Sequence, residues 1–208
     1  MESLILEEVG AEKQILELLR FVFWQEPTKE LLLDFFQVPL VEEENEIDSG
    51  LNLMNQTIRR NEDRSDAYLE DLAIEFTRLF LGPASPIAVP FASFYLSESK
   101  RLMTEETIDI RKKYLEVGMA AKYLHSVPDD HISTELEFLA YVAQETMILY
   151  EKGDRQEASQ KYEIMNDFLR NHLAQWAPIF AGQIIDNTNE DFFKGAALVL
   201  RGVIESSQ

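Results

Sequence analysis

Cysteine is absent from the chain, which removes disulfides, thiolate metal sites and a cysteine nucleophile. Histidine is scarce, with three imidazoles in 208 residues, His125, His131 and His172, so a complete metal site has little to draw on and none is expected. Basic residues are outnumbered, 19 against 38 acidic ones, for a net charge of −19. Phosphate backbones are bound by lysines and arginines that displace counterions; nucleic acid is therefore excluded as a partner and basic partners are favoured. Most of the carboxylates are expected on solvated helix faces. No apolar run approaches the ~20 residues needed to cross a bilayer, so no stable membrane insertion is expected. The opening Met1-Glu-Ser-Leu-Ile-Leu-Glu-Glu8 lacks the basic n-region of a secretory signal, and the cytoplasm is the expected compartment. Phosphate-loop, dinucleotide-turn and nucleophile-elbow glycine motifs are missing as well, which leaves no enzyme signature and no bound cofactor to expect.

What is present is a hydrophobic share of 46% arranged with helical period. Ile15, Leu18, Leu19 and Val22 follow the i, i+3, i+4, i+7 pattern, predicting a first helix to about Phe23. Thr28 is the expected N-cap of a second helix that Val38-Pro39 closes. Ile47, Leu51, Met54 and Ile58 form one face of a third, and Tyr68 to Phe80 predicts a fourth, capped by Ser65 or Asp66. Further helices are expected from Thr104 to Gly118, from Ile132 to Gly153, and from Tyr162 to a break at Pro178, then over Ile179–Ile185 and Phe192–Ile204. Period-two alternation is missing, so the fold class is all-α: one domain over 1–208, a compact multi-helix bundle with helical halves of about 1–81 and 95–208.

Those halves are joined by an elbow, 82–94, in which three prolines, Pro83, Pro86 and Pro90, follow Gly82. Each proline lacks an N–H and fixes φ near −65°, so the incoming helix must stop near Leu81. Exposing a large apolar side chain costs roughly 1.5–3 kcal/mol; Ile87, Val89, Phe91, Phe94 and Tyr95 are therefore expected either in the core or along a groove for a peptide. A second cluster is Pro128-Asp-Asp-His-Ile-Ser-Thr-Glu135 at a helix entry. Either Asp129 or Asp130 is a candidate N-cap, yet with Glu135 one turn beyond His131 the acid exceeds what capping needs and suggests an anion-rich pocket mouth. His131 and Glu135, at i and i+4, are expected as a charge-assisted pair. A third segment runs from Phe168 to Phe180, where Trp176 and Pro178 mark a helix end packed on the core.

In that order and spacing, the elbow, the Asp-Asp-His turn and the Trp-Ala-Pro segment resemble the TorD family of cytoplasmic chaperones for molybdenum-containing redox enzymes, over about the second two-thirds of the chain. The resemblance implies a chaperone that holds the twin-arginine signal peptide, and the body, of an apo-molybdoenzyme, delaying export until the cofactor is inserted. It carries Asp130 and His131 over as signal-peptide-binding residues; Asp129, Glu135, Phe91, Phe94 and Tyr95 join them as acid and apolar walls. It further implies a monomer that can exchange halves through the elbow into a swapped dimer. Two other readings stand at this point: a metal-dependent helical hydrolase using Asp130, His131 and His172, and an acidic scaffold for a basic folded protein.

Overall fold

The computed structural model describes residues 2–37, 39–82, 85–98, 100–103, 105–119 and 128–207; Val38, Pro83, Thr104 and His125 lie outside them. The α-helices among them are α1 (Glu2–Trp24), α2 (Lys29–Gln37), α3 (Glu46–Arg60), α4 (Ser65–Phe76), α5 (Ala92–Leu96), α6 (Glu105–Glu116), α7 (Ile132–Glu151), α8 (Arg155–Phe168), α9 (Ala174–Asn187) and α10 (Asp191–Ser206). Among the described residues there is no strand, only an isolated antiparallel bridge between Phe91 and His131. The chain is all-α, as its periodicity predicts. It divides into two compact units built from non-consecutive segments: one holds Met1–Arg20 and Phe91–Trp176, the other Phe21–Pro90 and Ala177–Ser206. The dividing point at Pro90–Phe91 falls inside the elbow, while α1 and α9 each pass from one unit into the other.

In the unit of Phe21–Pro90 and Ala177–Ser206, Leu31 N–H donates to Thr28 Oγ1 at 3.3 Å, and Asp48 N–H to the N-cap Asn45 Oδ1 at 3.0 Å. Ser65 and Asp66 do not cap α4; Arg64 holds that position without a side-chain bond, because a 3₁₀ turn over Glu62–Arg64 starts the helix earlier than the cap chemistry suggests. Phe80 sits among Phe23, Phe76, Phe180 and Phe193, at centroid distances of 5.1–5.9 Å. α3 and α10 touch backbone to backbone: a Cβ added at Gly195 would lie 2.5 Å from Gly50 O. Gly195→Ala must push the helices apart, and a loss of about 1–3 kcal/mol is expected in urea denaturation; an unchanged midpoint would show that the crossing is looser than this.

The elbow begins where α4 widens into a π turn, Thr77–Leu81, and stops at Gly82 with φ +62. Any Cβ there would meet Ser85 O at 2.4 Å, so both conformation and space demand glycine. Ala88, Val89 and Pro90 are buried, with Pro86 and Ile87 half-buried, and Ala88 N–H donates to Leu79 O at 2.9 Å. The apolar elbow is packed, as its composition requires, but it is shorter than the sequence suggests: α5 starts at Ala92 and places Phe94 and Tyr95 on a helix.

In the other unit α7 is the buried helix, with Ile132, Leu136, Phe138, Leu139, Val142 and Ala143 each at 0% exposure, and it ends before Gly153, φ +83. Phe138 packs its ring 4.9 Å from Tyr114 and 4.8 Å from Phe168. α8 runs into a second π turn, Leu169–Leu173, and then directly into α9. Pro178 therefore does not end a helix; it lies inside α9. The carbonyl its ring would crowd belongs to Ala174, the first residue after the π turn, where helical register is already broken.

Candidate functional site

Parts of the three sequence motifs, Phe91 to Tyr95, Pro128 to Glu135 and His172 to Trp176, converge within the unit that holds Phe91–Trp176. The turn Pro128–Asp130 runs beside the start of α5: Ala92 N–H donates to Asp130 O at 2.9 Å, Ser93 N–H to Asp130 Oδ2 at 2.8 Å, and the rings of Phe91 and His131 meet edge to face at 4.9 Å. The second Asp130 oxygen, Oδ1, accepts from Thr107 Oγ1 of α6 at 3.0 Å. Asp130 is thus fully buried with both oxygens engaged, holding α5 and α6 to the turn before α7.

Asp129 is buried too, its Oδ2 accepting from Arg111 Nε and its carbonyl from Tyr114 O–H at 2.9 Å. Burial, reinforced by the neighbouring carboxylates, pushes the Tyr114 phenol far up, so it remains a donor. Thr107, Arg111 and Tyr114, spaced i, i+4, i+7 on α6, escape motif reading because their partners lie 15–23 residues away. Their common face carries a hydroxyl, a guanidinium and a phenol, and that was the available signal.

Neither aspartate caps α7. His131 does, its Nδ1 accepting from Ser133 N–H at 3.1 Å, which leaves the ring proton on Nε2. Burial lowers the His131 pKa from 6.5 to about 4, so the imidazole is neutral. The expected His131–Glu135 pair is not formed: Glu135 Oε1 lies 2.8 Å from His172 Nε2, and Oε2 accepts from Trp176 Nε1 at 3.2 Å. The i, i+4 rule presumes two helical residues, and His131 at ψ 137 stands before the helix. Burial raises the Glu135 carboxyl, with His172 opposing. Trp176, fully buried, stacks on Tyr95 at 5.5 Å and 24°, so α5 reaches the third motif as well.

The anion-rich pocket mouth expected from the sequence is instead a buried polar lattice, because each acid finds a donor on a distant element. Asp129, Asp130 and Glu135 are at 0–1% exposure, while Phe91, Phe94 and Tyr95 are half-buried at its edge. Three buried atoms in it have no hydrogen-bond partner among the described residues: Ser93 Oγ, Asp129 Oδ1 and Ser133 Oγ. No group of three acids or histidines that could hold a metal ion occurs among the described residues, and no helix there is long and apolar enough to cross a membrane.

A family model described as nitrate reductase delta subunit matches residues 44–182. Among curated proteins, the chaperone protein TorD of Vibrio parahaemolyticus is 32% identical over 154 residues, 74% of this chain and 68% of that protein. The TorD chaperone of Aliivibrio fischeri is 29% identical over 71% of this chain and 67% of its own length. That of Vibrio cholerae is 28% identical, over 67% of this chain and 61% of its own length.

Proposed function

We propose, since the chain belongs to the family described as nitrate reductase delta subunit, together with the TorD chaperones, that it is a cytoplasmic maturation chaperone. It holds the twin-arginine leader of an apo-molybdoenzyme, contacts the enzyme's body, and delays export while the cofactor is inserted. It acts by occupancy and not by catalysis. The molybdenum cofactor belongs to the client. The observation that carries this reading is the bonding of Asp130 to Ser93 with Phe91 against His131: acid and aromatic wall are parts of one structure. A leader has the matching order, guanidinium groups followed by an apolar stretch. Buried carboxylates bias the local field toward cations, while Phe91, Phe94 and Tyr95 supply apolar contact. Exposed ion pairs contribute about 0–1 kcal/mol each, so apolar burial provides most of the affinity and the acids provide discrimination. The same reading keeps the protein a monomer that can exchange segments through the elbow around Gly82, Pro86 and Pro90.

Because Asp130 and Glu135 also hold the fold, the cleaner test varies the peptide. Calorimetric titration should show a leader with paired arginines binding about tenfold tighter than one with paired glutamines. Phe94→Ala should weaken both peptides by the same factor. Equal affinity for the two peptides would sink the acidic recognition element, and failure to bind either would sink the chaperone reading as a whole.

A further inference from the structure

Arg111 occupies an unusual position between two faces of α6. On one side Thr107, Ile110 and Tyr114 are buried at 5%, 2% and 1% exposure. On the other, Ile108 and Leu115 stand out at 53% and 59%, three residues before and four after Arg111 and thus on its flank. The chain just before α6 exposes Leu102 and Met103 as well, at 43% and 65%. The Arg111 side chain is itself 38% exposed, whereas the Asp129 side chain beneath it is at 0%. Their contact is single: Nε reaches Oδ2, and Oδ1 remains without a partner among the described residues. A guanidinium fork can satisfy both oxygens of a carboxylate. This one does not, and a buried acceptor without a donor is costly.

From this arrangement, resting on the leader-binding reading above, we infer that Arg111 is a resident stand-in for the client's arginine. It keeps Asp129 paired while the site is empty and gives way when an incoming guanidinium takes both carboxylate oxygens. The apolar stretch that follows the arginine then lies along Ile108 and Leu115. A lysine or glutamine in the leader cannot form the same fork, so the exchange favours arginine over other polar residues. Binding at this acid is therefore competitive within the molecule, and the competition suppresses weak cations.

The test uses the full chain and two synthetic peptides, each with an alanine–leucine apolar stretch, one led by paired arginines and the other by paired glutamines. In Arg111→Gln the internal competitor is gone, so the arginine peptide should bind about three- to tenfold tighter while the glutamine peptide is unchanged. Circular dichroism establishes that the variant is folded. Should Arg111→Gln not fold, Arg111→Lys keeps the charge but lacks the Nε–H that reaches Asp129 Oδ2, and its arginine-to-glutamine affinity ratio should widen by about twofold. A ratio that stays constant or narrows in the folded variant overturns the exchange, even when the wild-type chain prefers the arginine peptide. A wild-type chain that binds neither peptide overturns the leader reading and the exchange with it.

Discussion

Asp130→Ala should lose about 3–5 kcal/mol of folding stability, because both side-chain bonds of a fully buried carboxylate disappear and two donors are stranded. Ser93 N–H and the Thr107 hydroxyl, at 2.8 and 3.0 Å, are themselves buried and have no route to solvent. The two partners differ in a way that makes the experiment specific. An amide N–H only donates, but a hydroxyl can donate or accept. Asp130→Asn can therefore set its carbonyl oxygen on Ser93 and its NH₂ on Thr107, keeping both bonds at reduced strength, and should cost only about 1–2 kcal/mol. Urea denaturation of the two variants checks the ordering. Equal losses for alanine and asparagine would mean that charge, and not hydrogen-bond satisfaction, holds the turn to α5.

The second large effect is acid sensitivity from His131. Its folded pKa, about 4, lies below the ordinary 6.5, so between those values the unfolded chain takes up a proton that the folded chain refuses. Stability from this group is complete above pH 6.5 and is lost as pH falls towards 4, by about 2 kcal/mol at pH 5 and about 3 kcal/mol in all. Glu135 works in the opposite sense: its raised pKa lets the folded state take a proton first, adding stability as pH drops. The raw profile is a sum, so the quantity to measure is the difference between wild type and His131→Gln across pH 7.5 to 4.5. That difference should shrink steadily with acidification. A constant difference would show that the ring charges freely in the folded protein.

The helices were legible because their apolar residues repeat with period 3.6, and the stop at Gly82 was legible because proline and glycine act locally. α1 shows where local reading begins to fail: Leu19 and Val22 are buried as expected, but Ile15 and Leu18 are half-buried while Val9 and Leu16 go inside. The stripe is rotated by the packing it meets. The candidate site residues do lie together in the structure, but their pairings were misread. Asp130 finds Ser93 37 residues back, and Glu135 finds His172 37 residues ahead; no spacing rule reaches so far. Both π turns were equally invisible, since an extra residue within a helical turn leaves the hydrophobic pattern on either side intact. Pro178 misled for the same reason: its penalty depends on the register set by Leu169–Leu173.

The close crossing of α3 with α10 also has a bearing on synthesis. Gly50 and Met54 meet Gly195, and Ile47 meets Gly202, while Glu46 forms a fork with Arg201, 155 residues further along. On the ribosome α3 is complete long before its partner exists, and its apolar face has to wait through the whole of α4 to α9. Long-range closures of this kind are slow and expose surface that aggregates. A nascent chain stalled before α10 should accordingly be a target for general holding factors, and its release from them should coincide with the arrival of the final helix.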